Sequence, residues 1–166
     1  SKNTLQFDVY DKTIQMADLM FSVPDPKDAK KPIVAFCGKF VQYHSLNKYD
    51  ERIVLYRKTV VPNCYGPTDV EGLEKVIDDD KLLVYASNKN YAKILNKKIL
   101  ETLANVEVDD YLYDLTISIN GNLITIALSY ADKLVAIPLN EPTDFVGFER
   151  VAKDIKLVID EIVKNI

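Results

Sequence analysis

A β-hairpin is predicted by the sequence Tyr113-Asp-Leu-Thr-Ile-Ser-Ile-Asn-Gly-Asn-Leu-Ile-Thr-Ile-Ala-Leu128. Apolar and polar residues alternate on both sides of Asn120-Gly121, a dipeptide that favours a two-residue type I′ turn because both positions tolerate positive φ. One face of this hairpin is apolar and the other mostly polar, so a one-residue slip would expose the apolar set. A turn at Asn120-Gly121 gives the pairs Ile119–Asn122, Ile117–Ile124, Leu115–Ile126 and Tyr113–Leu128 on the apolar face.

Further strands are predicted by apolar runs elsewhere in the chain. The run 5–9 alternates apolar and polar residues, which is the pattern of a half-buried strand. We expect a second strand at 14–23, although the part 14–21 is short enough to leave a helix as an alternative. The other predicted strands cover residues 33–43, 52–61, 73–77, 82–85 and 134–139.

Two helices are predicted by apolar residues at helical spacing. The first covers residues 88–105, with Ser87 as its N-cap because a serine hydroxyl can accept a hydrogen bond from the first turn. Its apolar stripe consists of Tyr91, Leu95, Ile99 and Leu103. The second helix has Thr143 or Asp144 at its N-cap. Its expected inner face consists of Phe148, Val151, Ile155, Val158, Ile159 and Ile162.

The order of these elements favours an α+β fold, a mostly antiparallel sheet with about two main helices packed on one face. A sheet that is apolar on one side must be covered, and helices supply that cover. The 166 residues fit a single domain. Within it, the proline-bearing loop 62–67 suggests an N-terminal β subdomain at 1–61 and a strand–helix–hairpin–helix half at 68–166.

Composition excludes several classes of protein. The net charge of −4 argues against a nucleic-acid partner, because nucleic-acid-binding domains are usually strongly basic. The apolar runs are far shorter than the ~20 residues that a transmembrane helix requires, and no signal peptide is visible. Position 1 is serine rather than methionine, so we expect a fragment or a processed product of a longer protein.

The two cysteines, Cys37 and Cys64, lack the CxxC spacing of metal and redox motifs. Two distant cysteines favour a reducing compartment, so we expect a soluble domain on the cytoplasmic side. Cys37 lies in an apolar run and is expected to be a small core residue. Cys64 lies in a loop and is the more exposed thiol.

His44 is the single histidine, and acid–base catalysis by it would require a carboxylate or nucleophile within hydrogen-bond reach. Asp50 and Glu51 follow closely in sequence, but sequence proximity supplies no geometry, and we expect His44 to be a structural surface residue. One histidine and two distant cysteines do not form a zinc site.

Charged clusters offer no clear metal or phosphate site. Asp78-Asp79-Asp80, and Asp109-Asp110 with Asp114, lack the Asp-x-Asp-x-Asp-Gly pattern of a calcium loop and are expected in solvated turns. Lys89, Lys93 and Lys97 are expected on a solvated helix face, with contact to an anionic membrane as the functional alternative. No GxGxxG, GxxxxGK[ST] or GxSxG motif is present, so no phosphate-binding loop and no serine-hydrolase nucleophile is predicted.

Two parts of the sequence resemble a known family. Phe36-Cys-Gly38-Lys-Phe40 is similar to its F-x-G-x-F strand, and Leu83-Val84-Tyr85-Ala86-Ser87 with Ala92-x-Ile94-Leu95 is similar to its F-x-V-Y-S and A-x-x-L motifs. From Ala35 onwards the chain thus resembles the bacterial domain-of-unknown-function family 3137. It departs from the family at Ala86, which stands as an extra residue between Tyr85 and Ser87. It also departs at Lys75, which replaces a usually acidic residue. The resemblance implies a membrane-anchored parent protein with a soluble C-terminal domain, and it carries over no catalytic residue and no cofactor.

We therefore predict no catalytic, cofactor-binding or metal-binding residue and no cofactor. The first hypothesis is a non-enzymatic extramembrane binding module of a bacterial membrane-anchored protein, with a protein or an anionic membrane surface as its partner. A second hypothesis is a small soluble enzyme that uses carboxylate, tyrosine and His44 or Cys64 chemistry, with a carboxylate of strongly shifted pKa beside His44. A third is an adaptor or secretion-chaperone-like protein that dimerises through its sheet, since the sequence leaves the oligomeric state open.

Overall fold

The computed structural model describes residues 4–28, 30–58, 69–106, 112–130, 149, 152–153 and 155–166. Its strands are β1 (Thr4–Val9), β2 (Lys12–Pro24), β3 (Pro32–His44), β4 (Arg52–Arg57), β5 (Glu74–Asp78), β6 (Leu82–Ala86), β7 (Leu112–Asn120) and β8 (Leu123–Tyr130). Its helices are α1 (Tyr91–Ile94), α2 (Lys97–Ala104) and α3 (Val158–Val163), the last with π-type winding.

The eight strands found in the described residues form one antiparallel sheet with the order β1-β2-β3-β8-β7-β4-β6-β5. The β7–β8 hairpin therefore lies between β3 and β4, which are consecutive in the chain. The connection from β3 to β4 passes the tip of this hairpin, where Ser45 N donates to Asn122 O at 2.8 Å and Tyr49 N donates to Gly121 O at 3.2 Å. The predicted mostly antiparallel sheet is confirmed, and in the described residues the sheet dominates over few, short helices.

The β7–β8 hairpin forms as expected, but its turn lies one residue later than predicted. Gly121-Asn122 form the turn instead of Asn120-Gly121, so Ile119 pairs with Ile124 rather than with Asn122. Gly121 has a φ of +64° and Asn122 does not have a positive φ, which is the pattern of a type II′ turn. Each predicted pair is displaced by two residues, and because side chains alternate with a period of two, both faces keep their predicted side chains. The apolar face is buried at Leu115, Ile117, Ile119, Ile124, Ile126 and Leu128.

The other described strands lie close to their predicted positions. β2 is extended over its whole length, so the helix alternative for residues 14–21 is wrong. β4 ends at Arg57, earlier than the predicted strand at 52–61, whose last three residues lie outside the described part. The predicted strand at 134–139 and the loop at 62–67 also lie outside the described residues, so the division into two parts stays a prediction.

The predicted helix at 88–105 is interrupted. α1 ends at Ile94, and α2 begins after Asn96, whose side-chain oxygen accepts a hydrogen bond from Ile99 N at 3.1 Å. An asparagine in this role satisfies a free amide of the first turn, so it starts a new helix where continuous winding was expected. Ser87 is not the N-cap, because α1 begins only at Tyr91, after Asn90. The Ser87 hydroxyl instead accepts a hydrogen bond from Arg52 N of β4 at 3.0 Å.

Helical side chains cover the apolar face of the sheet. Ile99 and Leu103 of α2 and Val158 and Ile162 of α3 belong to the same buried cluster as the apolar face of the β7–β8 hairpin. These residues belong to the predicted helical stripes, although the predicted start of the last helix, at 143–148, lies outside the described residues. Residues of the predicted apolar stripes therefore lie in the core, although the predicted helix at 88–105 is interrupted.

The contact between β3 and β8 depends on a glycine. Gly38 pairs with Ser129, and a Cβ atom added to Gly38 would lie 1.8 Å from Leu128 O and 2.8 Å from Leu128 C. Both atoms belong to the backbone, so no side-chain movement could relieve the clash. Gly38 is needed because the two strands approach more closely than any side chain permits.

Gly38→Ala should therefore lower the free energy of unfolding by about 3 kcal/mol or more, because the two strands must separate. Gly121→Ala is the matched control: its Cβ meets no atom within 4 Å, so only the positive φ is unfavourable, at a cost of about 1 kcal/mol. Urea denaturation of both variants measures the difference. Equal losses for the two variants would contradict the close approach at Gly38.

Candidate functional site

The distal half of the β2–β3 hairpin extends past its neighbouring strands. Among the described residues, β1 pairs with β2 only as far as Ala17, and β8 pairs with β3 only as far as Gly38. Beyond these positions β2 and β3 continue to pair with each other up to Pro24 and Pro32. We call residues 19–28 and 30–36 the apolar arm, and residues 25–28 with 30 and 31 its tip.

The apolar arm exposes large apolar side chains on both of its faces. Phe21 is 55% exposed, and Met20, which precedes it and so points to the opposite face, is 68% exposed. Val23, Ile33 and Val34 are exposed as well. Single exposed apolar residues are ordinary in proteins, whereas a contiguous group of them marks a surface that interacts with another molecule.

One face of the arm is organised by two aromatic rings. Phe21 and Phe36 are register partners, and their rings stack with centroids 5.6 Å apart and an interplanar angle of 15°. Val23 and Ile33 form a second pair on the same face. The register shifts between these two pairs, as in a β-bulge, and a bulge increases the local twist of a ribbon. This face therefore presents two phenylalanines and two β-branched residues side by side.

The base of the arm is held in place by contacts between β2 and β3. Lys39 Nζ donates to Asp18 Oδ1, and both side chains are mostly buried. Cys37 lies at the same level and is buried, as expected for a small core residue. Contacts within the sheet thus fix the side chains at the base of the arm. The side chains further out are exposed, so the arm is an extension of the sheet.

The described residues at the tip of the arm form turns with their own backbone and present lysines. Asp25 Oδ1 accepts a hydrogen bond from Lys27 N at 2.7 Å, and Asp28 Oδ1 accepts one from Lys30 N at 3.2 Å. Both carboxylates thus stabilise turns within the loop. The side chains of Lys27, Lys30 and Lys31 are exposed, that of Lys31 by 80%.

A polar cluster ties α3 to the β1–β2 hairpin. The turn of this hairpin is Tyr10-Asp11, and both residues have a positive φ, 50° and 58°. Tyr10 OH donates to Asp160 Oδ1 at 3.0 Å, and Lys164 Nζ lies 5.8 Å from the Tyr10 ring centroid. Non-glycine residues rarely adopt this conformation, so these contacts compensate a strained turn.

The side chain of Lys12 contacts the C-terminal end of α3. Its ammonium donates to Val163 O, one of the last carbonyls of the helix, which have no partner within the helix itself. Burial lowers the pKa of Lys12, whose Nζ lies 5.6 Å from the centroid of the Tyr43 ring. A lysine at the start of a strand is typical of an exposed residue, so the sequence pattern does not predict the buried position of Lys12.

The main-chain carbonyl of Ile166 also accepts hydrogen bonds in this cluster. Ser45 Oγ and Tyr49 OH donate to Ile166 O at 2.7 and 3.0 Å. The hydroxyl of Tyr43 is buried without a hydrogen-bond partner in the described residues, and burial raises the pKa of this phenol. These groups fix the position of the helix, and none of them is arranged to activate a nucleophile.

Asp114 lies on the face of the sheet opposite the core. Thr116 Oγ1 lies 3.5 Å from Asp114 Oδ2, and burial raises the pKa of Asp114 to about 6 despite this hydrogen bond. Tyr56 is the register partner of Thr116, and burial followed by the charge of Asp114 raises its pKa. A buried carboxyl with a raised pKa can mark an active site.

His44 lies away from this carboxyl. His44 is exposed at the end of β3 and pairs with Leu123, whereas Asp114 pairs with Ser129 at the other end of β8. Strand spacing separates these two ends of β8 by about 20 Å. The structure therefore does not bring His44 and Asp114 together. Cys64 lies outside the described residues.

The charged clusters have mainly local roles. Asp79 Oδ1 accepts hydrogen bonds from Lys81 N at 2.8 Å and Leu82 N at 2.7 Å, which closes the β5–β6 turn. Hydrogen bonds from Lys58 and Lys75 hold the pKa of Asp78 below its usual value. Asp109-Asp110 lie outside the described residues.

Lys89, Lys93 and Lys97 are exposed. They do not form one helical face, because the chain leaves the helix between Ile94 and Lys97. Lys97 Nζ lies 3.6 Å from Glu101 Oε1, an exposed pair within α2.

The described part of the chain holds neither a candidate metal site nor a candidate membrane-spanning helix. No group of three or more histidine, cysteine, aspartate or glutamate side chains is placed there to hold a metal ion. No helix in that part is both long enough and apolar enough to cross a bilayer.

Comparison with known proteins shows a fold and no family. The sequence matches no protein-family model and no curated protein. Its structure is similar to the crystal structure of the mycobacterial trehalose monomycolate transport factor A, TtfA, with a TM-score of 0.51 and 10% sequence identity. The similarity covers 95% of this chain and 71% of that chain. At this identity the likeness concerns the fold alone, and the resemblance to family 3137 stays a prediction.

The raised pKa of Asp114 predicts a dependence of the free energy of unfolding on pH. The folded state holds the proton up to a pH of about 6, whereas an unfolded aspartate releases it near 3.8. At this group the folded state binds more protons between these values, so the contribution of Asp114 to the free energy of unfolding should fall as the pH rises from 4 to 6, by at most about 3 kcal/mol.

Asp114→Asn removes this titration. It should stabilise the protein more at pH 7 than at pH 4, as measured by urea denaturation of both proteins at each pH. Parallel pH profiles for the variant and the parent would show that Asp114 is ionised in the fold without cost.

Proposed function

We propose that this chain is a non-enzymatic binding module, the extramembrane part of a bacterial membrane-anchored protein, and that the apolar arm is its binding surface. The observation that carries the proposal is the exposure of Phe21, Val23 and Ile33 together on one face of a ribbon with a fixed base. Water in contact with apolar surface is unfavourable, so covering this face with a partner gains free energy. The membrane anchor rests on the resemblance to family 3137.

The fold similarity is compatible with a role in binding. The similar protein is named as a transport factor for trehalose monomycolate, and a transport factor acts by contact with other molecules. Fold alone does not determine function, so the argument for this chain rests on its own exposed residues.

The rival enzyme hypothesis finds less support. It requires a carboxylate of shifted pKa beside His44, whereas Asp114 is about 20 Å away along the sheet. Asp114 also lies beside Thr116 and Tyr56, neither of which is an activated nucleophile at neutral pH. The third hypothesis, dimerisation through the sheet, meets a bulge and exposed Lys75 on β5, one of the two edge strands, and both features discourage strand pairing at that edge.

Photo-crosslinking in the native host tests the binding surface. A photo-reactive phenylalanine analogue at Phe21 should give a covalent adduct, with a protein or with a lipid, because this side chain faces the partner. The matched control places the same analogue at Leu46, which is 77% exposed in the β3–β4 connection and lies outside the arm. Mass spectrometry of the purified adducts identifies the class of partner.

A second substitution in the arm checks that the adduct reflects binding. Ile33→Ser should reduce the Phe21 adduct at least tenfold and should change the free energy of unfolding by less than about 0.5 kcal/mol, because the side chain is exposed. Equal adduct yields from Phe21 and Leu46, or a yield that Ile33→Ser leaves unchanged, would contradict the proposal.

A further inference from the structure

We propose that the partner of the apolar arm is an anionic lipid bilayer, along whose headgroup region the arm lies. This inference rests on the proposed function and names the partner of the same surface. The immersed side chains would be Phe21, Val23 and Ile33, with the tip lysines at the level of the lipid phosphates.

The distribution of apolar side chains favours a bilayer over the surface of a protein. A protein surface that receives a two-stranded ribbon covers one of its faces. In the apolar arm, however, Met20 and Val34 are exposed on the face opposite Phe21. A ribbon that lies along the interface places one face at the acyl boundary and the other among the lipid headgroups, so lipid contacts both faces, which matches this distribution.

The charge of the tip complements an anionic surface. Lys27, Lys30 and Lys31 are exposed within one short loop, next to the exposed apolar residues. Asp25 and Asp28 belong to the same loop and keep their negative charges while they accept hydrogen bonds from its backbone amides. Three lysines against two aspartates leave the loop with a net charge of +1. The salt bridge from Lys31 to Asp28, at 3.9 Å between exposed side chains, is weak enough to exchange for a phosphate.

The same tip determines how the arm would be oriented. Insertion with the tip first would place five charged residues of the loop in hydrocarbon, which is strongly unfavourable. Lying along the interface keeps the lysines among the headgroups while the apolar side chains reach the acyl boundary. Residues 19–24 span about 20 Å, so the contact is long and shallow.

Vesicle sedimentation tests this inference. The protein should bind vesicles of mixed phosphatidylcholine and phosphatidylglycerol and should bind pure phosphatidylcholine vesicles much more weakly. The triple variant K27Q/K30Q/K31Q should lose on the order of 100-fold in affinity for the anionic vesicles, since each lysine near such a surface contributes about fivefold. The variant Phe21→Ser with Ile33→Ser should lose binding to a similar degree through the apolar contact.

The matched control for charge is K89Q/K93Q/K97Q, which removes the same number of exposed lysines from α1, α2 and the segment before them. This control should keep its affinity within a few fold. Equal losses in the two triple variants would overturn the assignment to the arm, as would an affinity that salt does not reduce. Circular dichroism and thermal melting establish that each variant is folded.

The lipid inference and the proposed function fail in different ways. No binding of the unaltered protein to anionic vesicles, together with a protein adduct from Phe21 in the host, would overturn the lipid partner and leave the arm as a protein-binding surface. No binding to vesicles and no specific adduct from Phe21 would overturn both.

Discussion

The rest of the structure depends on the insertion of the β7–β8 hairpin between β3 and β4. These two strands follow each other in the chain, yet each pairs with a different strand of the inserted hairpin. Ile53 and Leu55 of β4 and Val41 of β3 are buried in the same cluster as Ile117 and Ile126. Contacts of this kind join distant parts of the chain, so forming them has a cost in loop-closure entropy. Because the buried contacts offset this cost only when they form together, we expect the sheet to form in one step.

The inserted hairpin also determines where the apolar arm begins. β8 supports β3 from His44 to Gly38, and β1 supports β2 on the other side as far as Ala17. Beyond those points the described strands β2 and β3 have only each other. A two-stranded ribbon alone is marginally stable in water, so the long ladder needs its supported base. The stacked rings of Phe21 and Phe36 add a cross-strand contact within the unsupported part.

Much of the fold could be predicted from the sequence, because alternation of apolar residues determines which side chains face the core. The hairpin shows the limit of this reasoning: Asn120-Gly121 and Gly121-Asn122 both suit a two-residue turn, and the two choices leave the faces identical. The break before α2 was missed because Asn96 lies within an otherwise regular apolar stripe, and only its hydrogen bond to Ile99 N reveals a cap.

The candidate site was harder to predict than the fold. Met20, Phe21, Val23 and Ile33 are apolar strand residues, and the sequence gives no sign that their strands outrun their neighbours. Their exposure follows from the pairing of other segments, since the described residues of β1 and β8 pair with β2 and β3 only as far as Ala17 and Gly38. Lys12 illustrates the opposite case. This charged residue is buried because the C-terminal end of α3, which is distant in sequence, packs against it. Both outcomes depend on tertiary arrangement rather than on local pattern.

Native-state hydrogen exchange tests most directly whether the inserted hairpin unites the sheet. The amides of Val41 in β3, Leu55 in β4 and Ile117 in β7 should exchange with the same free energy of opening and the same denaturant dependence, because they open only together. If Val41 exchanges by an opening of clearly lower free energy than Ile117, the strands before residue 45 form a separate unit. That result would contradict a sheet held together by the β7–β8 hairpin.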